Sequence, residues 1–578
     1  MKIFCSHFSY AAQLEKLGHE VFAPNLPGGI THLPSFLEKS GFAPDLVIQE
    51  EILGERVFFG GLEEMPCPTV FISVDTHLNL FWQRYYARLF DMVMSANLSF
   101  IGEIPWGEGP GRLSPRVGRL GPCGYARPWR DFSAREHGLA FCGILDQYRT
   151  VRTAMLELLE KNFALYRPAG RLERQAMLEL FGNARIIPNE AIRDEVNFRL
   201  FEAASCGCLV LTPDIGEDQN VHFEPGKEMV TYANVLELLD KAAFYLSRPA
   251  EAEKIGRAAR ARVLSCHLPE HRAAEVLDYA SRGGARAGGN EAVKCFALTL
   301  VQMARHGSHP LPATELLRIL RALPEDGESA AAILALLSES TRPESPLYAE
   351  AQAGWPEEAR REGLDLCLRL LAKNLYRDST ACNLAASFHC LHLGDLDKAR
   401  LFWLRQRDKQ AVQDGGSGAA GQGRFPEKKE DFYLFWADLL VKQGFLAQPG
   451  FRFRPHPGFL PQTALECLLL ALEGGEGAER RDVWLRMERL YSALPGYAPH
   501  DLAMLANLSL HSPKSWRWQA LYGICSLKCM RVEAGLAELE SARASATAIG
   551  QEGAFKRLLA EHPGWEYTLR RLYPGISA

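Results

Sequence analysis

No run of apolar residues in this 578-residue chain approaches the roughly 20 needed to cross a bilayer, so no membrane span is expected. There is no excess of charge of either sign: 65 Lys and Arg stand against 70 Asp and Glu, a net of −5. Without a basic field nothing general draws the chain to a phosphate backbone, and nucleic acid is not expected as a partner. No Cys-x-x-Cys pair occurs among the 14 cysteines. Cys206 and Cys208 are the one tight pair, and no His or Cys follows them at zinc spacing. The others sit singly in apolar stretches, as Cys5, Cys142, Cys295 and Cys390 do, and read as buried reduced thiols. Met1-Lys2 leads into a short apolar run lacking the pattern of a signal peptide, so the expected location is cytoplasmic.

What remains is an ordinary globular composition, 47% hydrophobic and 23% charged, in a chain too long for one core. The first 130 residues alternate short apolar runs with helical patterns. Lys2–Cys5, Glu20–Ala23, Asp45–Ile48, Thr69–Val74 and Met92–Ser95 read as strands, with helices over Tyr10–Leu17 and Leu80–Phe90. Such alternation predicts βαβ crossovers and a parallel sheet. Residues 105–136 are rich in Gly, Pro and Arg and read as surface loop and linker. The alternation then resumes: strands at 139–142, 163–166, 184–187 and 209–212, with helices between them and two more over 235–247 and 250–264.

Ser281–Asn290 is Gly-rich and reads as a second linker. Beyond it, strand signals nearly vanish. Leu393-Gly394-Asp395-Leu396, followed by Ala399 and Phe402, resembles the turn and second helix of a tetratricopeptide-type repeat, and residues 522–542 are a weaker echo. The expected architecture is therefore α/β plus all-α. Two Rossmann-like domains occupy 1–130 and 131–282, and a helical-repeat domain over 291–578 carries a flexible low-complexity insertion at 414–424.

Two tandem parallel sheets put a cleft between their carboxyl ends, where ligands of such sheets bind. The most informative stretch there runs from Ile187 to Gly207. A strand ends at Pro188, a polar loop follows, and a helix is expected to begin near Glu195. Its N-terminus would offer free N–H groups and a positive dipole end to a diphosphate. Seven residues separate Glu195 from Glu202, which on a helix would put both on nearly one face, about 20° apart. Two carboxylates so placed can accept paired sugar or ribose hydroxyls; a solvated acidic face paired with Arg199 is the plain alternative.

Asn197 to Thr212 resembles the donor-binding segment of GT-B glycosyltransferases, and within them the spore-maturation-protein-like (CgeB-like) branch of the group 1 transferases. Phe223–Asn234, Ile255-Gly256, His267 and Arg272 continue the likeness; Phe141-Cys142-Gly143 with Arg149 and Pro68–Asp75 extend it upstream. The resemblance covers roughly residues 1–280. It implies a transferase that takes a nucleotide diphosphate sugar, with the donor held mainly by 131–282 and the acceptor side by 1–130. Glu202 matches the glutamate that takes the ribose hydroxyls, and Asp194 or Glu195 would face the transferred sugar. Asn197 and Arg199 match the branch's own pattern, Arg149 would offset diphosphate charge, and Asn189 belongs to the same donor-binding set. No Asp-x-Asp stands beside a strand and no metal or other cofactor is expected. The Gly-rich turn that many relatives carry after the first strand is replaced here by Ser6-His7-Phe8-Ser9.

Transfer to a hydroxyl needs leaving-group stabilisation and, on an inverting route, a general base. His7, Asp75 and His77, all at strand ends, are the candidates, each with a structural role as the plain alternative. The resulting expectation is a glycosyltransferase acting on a protein such as flagellin or on a surface glycan. The alternatives are an inactive GT-B-like scaffold or protein-binding module, and a sugar-nucleotide epimerase on the same fold.

Overall fold

The computed structural model describes residues 1–52, 56–101, 115–145, 149–306, 312–345, 347–348, 354–413, 425–447, 458–474, 478–493, 505–506, 508 and 515–573. The low-complexity stretch 414–424, expected as a flexible insertion, lies outside them. In chain order the first strands are β1 (Lys2–Ser6), β2 (Glu20–Phe22), β3 (Gly29–His32), β4 (Leu46–Glu50), β5 (Val57–Gly60), β6 (Thr69–Ser73), β7 (Met92–Ser95) and β8 (Arg116–Arg119). Six of them form one parallel sheet in the order β2-β1-β4-β6-β7-β8, and β3 pairs with β5 as a small parallel ribbon. Val47, Ile48, Val70, Phe71 and Val93 are buried. Helices cover both faces of the sheet, which is why the central strands read as unbroken apolar runs.

β8 falls inside the segment expected to be only loop and linker. An edge strand takes backbone hydrogen bonds from one neighbour and needs no apolar run, so Arg-Val-Gly-Arg suffices. Gly118 there makes room for the Tyr279 ring, which a Cβ would meet at 2.5 Å.

The second sheet holds β9 (His137–Ala140), β10 (Leu165–Tyr166), β11 (Ala184–Pro188), β12 (Leu209–Pro213) and β13 (Val230–Tyr232), all parallel, in the order β10-β9-β11-β12-β13. The helix Pro249–Cys266 backs it closely: a Cβ on Gly256 would stand 2.3 Å from the Gly207 carbonyl oxygen. The next helix, Pro269–Ser281, leaves this sheet and returns to the first. Its Ala273, Val276 and Ala280 are buried in one cluster with Ile3, Leu14, Ile48 and Met92.

The Gly-rich stretch after Ser281 is docked, not a free tether. A Cβ on Gly284 would meet the Asp91 carbonyl oxygen at 2.0 Å, and Arg286 donates to the Asp91 carboxylate at 2.5 Å. Helix Gly289–Arg305 then packs on the first domain, where Cys295 and Met303 share a core with Phe58, Phe71 and Trp82.

Among the described residues no strand follows β13. Helical hairpins take over, such as Thr380–His392 with Leu396–Gln413 and Trp516–Lys528 with Val532–Ala548. In the second of these Gly523 and Gly535 let the helices touch, since a Cβ on Gly523 would lie 3.0 Å from the Gly535 carbonyl oxygen. The far end of the helical half reaches the second sheet, where Asn234 Nδ2 donates to the Gly564 carbonyl at 3.2 Å. All 14 cysteines are free, and all but Cys266 are buried. Among the described residues no helix is long and apolar enough to cross a membrane.

Candidate functional site

The carboxyl ends of the two sheets face each other, and several bonds hold them together. Asp218 of the second domain accepts the Ser99 amide at 3.0 Å and the Ser99 hydroxyl at 2.6 Å on one oxygen, and Arg119 Nη1 at 2.8 Å on the other. Asn97 Oδ1, just past β7, accepts the Val196 amide at 2.8 Å. Tyr125, in the segment joining the sheets, donates its amide to Ser205 Oγ at 2.8 Å.

On the first-domain side the turn after β6 is fixed from below by Glu51. This buried carboxylate, at the end of β4, accepts the Val74 and Asp75 amides, each at 3.0 Å, Asn79 Nδ2 at 2.6 Å and Gln83 Nε2 at 2.7 Å. Burial pushes its carboxyl up to about 7, with the Asp75 charge adding to the rise against its hydrogen bonds. Asp75 takes the N-cap position of helix Thr76–Tyr86 without using its side chain as the cap. His77 follows in the first turn and is 1% exposed.

On the second-domain side the loop after β11 departs from expectation. Arg193 and Asp194 both have left-handed backbone, φ +50° and +59°. Glu195 and Asn197 are extended, and the helix begins only at Phe198 and runs to Ser205. The expected helix start near Glu195 is therefore wrong, and Glu195 and Glu202 share no helical face. Two consecutive left-handed residues turn the chain and send Glu195 toward the first sheet instead. There its Oε2 lies 3.2 Å from His77 Nε2 and its Oε1 is 3.5 Å from Arg149 Nη1. Burial would raise the Glu195 carboxyl, but His77 and Arg149 hold it below the usual carboxylate range. Burial raises Asp75, partly offset by His77 and reinforced by Glu195.

The remaining candidates have distinct settings. Asn189 is buried in the scaffold: its Nδ2 donates to Thr212 Oγ1 at 3.1 Å, and its Oδ1 accepts Arg199 Nη1 at 2.9 Å. Arg199 also lies over the Phe141 ring, 4.5 Å from its centroid, and burial lowers it to about 10. Asn197 donates Nδ2 to the Glu190 carbonyl at 2.9 Å. Asp194 is exposed, in the field of Lys528 from the helical half. His7, at the end of β1, has φ +56° and faces Ser6 Oγ at 3.1 Å; it is not part of the cluster formed by Asp75, His77 and Glu195.

Glu202 stands apart, half-buried on helix Phe198–Ser205. Burial raises its carboxyl against the pull of Arg199 and Arg174. Arg174 and Tyr125, which lies in the field of Glu202, wall a cleft of about 430 Å³ that is also lined by Arg127, Gln175, Leu178 and Leu268. A cavity of that size lies within the range of small-ligand pockets, about 300–1,000 Å³.

Glu51, Glu190, Arg152, Asn97 and Asp218 were not singled out in the sequence. Glu190 is 4% exposed and pairs with Arg152 at 2.9 Å, with Arg149 at 3.5 Å. Its position directly after Asn189, at a strand end in the cleft, was the available signal. Glu51 likewise ends a strand.

Residues 149–278 match the family model described as Glycosyl transferase-like. No curated protein matches the chain. Among solved structures, sucrose-phosphate synthase from Thermosynechococcus elongatus is 12% identical; the match covers 49% of this chain and 98% of that one, with a TM-score of 0.36. The UDP-forming α,α-trehalose-phosphate synthase from Burkholderia vietnamiensis is also 12% identical, covering 48% and 99%, with a TM-score of 0.34. A glycosyltransferase from Rickettsia africae is 10% identical, covering 49% and 98%, with a TM-score of 0.33.

Proposed function

We propose that this chain is a glycosyltransferase that moves a sugar from a nucleotide diphosphate sugar to an acceptor hydroxyl. The observation that carries the reading is Glu202: a half-buried carboxylate in the field of Arg174, a residue that lines a cleft of about 430 Å³, inside the segment that matches the family model. A carboxylate can accept both hydroxyls of a ribose, and Arg174 and Arg127 suit a base or phosphate. The free amides at the start of helix Phe198–Ser205 and the Arg149 guanidinium would share the diphosphate charge. Asp75, His77 and Glu195 would face the transferred sugar and the acceptor.

The acceptor would be a protein or a glycan, recruited by the helical half. Truncation at residue 290 is a poor test, because it strips Cys295 and Met303 from the core they share with Trp82. Crosslinking of the intact chain to candidate acceptors is the direct one.

Calorimetry with a panel of nucleoside diphosphates and their sugars tests the donor. Glu202→Ala should weaken the preferred nucleotide about 100-fold, as expected for two hydrogen bonds to a charged group, and abolish sugar transfer. Full transfer by that variant overturns the assignment. A non-catalytic scaffold is the second reading, favoured by Asn189 and Arg199 being engaged with each other at 2.9 Å. It predicts no nucleotide binding at all.

A further inference from the structure

Three ligand-type side chains from both sheets converge on one point. A carboxylate oxygen of Asp75, a ring nitrogen of His77 and a carboxylate oxygen of Glu195 all lie within 4.8 Å of one another. His77 is 1% exposed, and neither ring nitrogen has an aligned hydrogen bond, although Nε2 stands 3.2 Å from Glu195 Oε2. Glu195 Oε1 is engaged separately, by Arg149 Nη1 at 3.5 Å and the Ile192 amide at 3.3 Å. Asp75 leaves its helix cap unmade.

Each of these facts is unfavourable alone. A buried polar group without a good partner is destabilising, and two carboxylates at this range repel. A cation held by the imidazole lone pair and one oxygen from each carboxylate relieves both. We infer that Asp75, His77 and Glu195 bind one divalent transition-metal ion, and that the site is complete only while the two sheets are closed on each other.

One imidazole with two carboxylates, and no thiolate, suits Mn²⁺, Co²⁺ or Zn²⁺ better than the all-oxygen preference of Ca²⁺ or Mg²⁺. Three protein ligands also leave a coordination position for water or a ligand oxygen, as in catalytic rather than structural sites. The inference departs from the metal-free expectation drawn from sequence. The separation there is of chain position: Asp75 and Glu195 are 120 residues apart, and no local spacing joins them.

The test uses the full chain stripped with a chelator, without nucleotide. Mn²⁺ is titrated with the free ion followed by electron paramagnetic resonance, and Zn²⁺ by calorimetry. One ion per chain is expected, with Asp75→Asn and His77→Gln each weakening binding at least tenfold and Glu202→Ala leaving it unchanged. Asp75→Asn keeps the size of a half-buried side chain, so it reads out even where the His77 variant misfolds. No stoichiometric binding below millimolar concentration, or equal binding by the wild type and Asp75→Asn, overturns the inference. Nucleoside diphosphate binding is measured in parallel with chelator present. Nucleotide binding without metal binding sinks only the metal site; metal binding without nucleotide binding sinks only the donor reading.

Discussion

Asp218 offers the sharpest test of how the two sheets are held together. Asp218→Ala removes three acceptor contacts at once, two from Ser99 and one from Arg119. Asp218 is nearly buried, with side-chain exposure of 7%, while that of Arg119 is 25%. The ion pair is therefore partly screened and contributes about 1 kcal/mol. Each Ser99 bond to the carboxylate contributes about 1.5 kcal/mol. Together the loss is roughly 3–4 kcal/mol from the closed arrangement, a factor of about 10²–10³ in the closing equilibrium. Hydrogen exchange of single amides measures this, because exchange tracks the population of the open state. The Ser99 amide, bonded directly to Asp218, should exchange at least 100-fold faster in the variant. The Val196 amide, bonded to Asn97 across the same crevice at 2.8 Å, should accelerate with it. If Ser99 speeds up while Val196 keeps its wild-type rate, the clasp is local and the two sheets do not open as units.

Three further outcomes follow from the packing and the buried charges. Gly256→Ala places a Cβ 2.3 Å from the Gly207 carbonyl oxygen and should cost about 1–3 kcal/mol or more; Gly182→Ala, where nothing lies within 4 Å, should leave the melting temperature level or raise it. Arg152→Ala should cost about 3–5 kcal/mol in chemical denaturation, because Glu190 keeps only the 3.5 Å contact with Arg149; a cost under 1 kcal/mol would show that water reaches Glu190.

The third concerns acid. Burial holds His267, His389, His392 and His562 down to about 4, so between their ordinary 6.5 and 4 the unfolded chain binds more protons and stability falls as pH drops. Glu50 and Glu51, raised by burial to about 7, act in the opposite sense from 7 down to 4.5, joined by Asp75, Asp194, Glu202, Glu339 and Asp438, which burial also raises; His7 and His222, lowered by burial, add to the histidine side. Denaturation midpoints should be lower at pH 5 than at pH 7, and a higher midpoint at pH 5 would refute this balance.

Much of the architecture is written in local pattern. Thr69–Ser73 and Leu209–Pro213 are short, β-branched and flanked by turn residues, so period and length suffice to place them. β8 escaped because edge pairing is a backbone matter and its Arg-Val-Gly-Arg carries no apolar signature. The start of the helix at Phe198 escaped because left-handed backbone at Arg193 and Asp194 is enforced by surroundings, not by residue type. Asp75 and His77 were visible as polar residues at a strand end, and Glu195 as a carboxylate in the donor loop. Their meeting was not, since it depends on how the two sheets dock on each other. The Gly-rich 281–290 stretch misled for a similar reason: glycine there serves close approach to Asp91, not freedom.

The helical half grips both α/β domains. Its first helix is part of the first domain's core through Cys295 and Met303, while its last turns hold Asn234 of the second. It is thus a strut across the joint, and the crevice cannot widen without sliding one of those footings. Anything seated on the helices would therefore bear on the spacing of the two sheets, and anything held between the sheets on the helices.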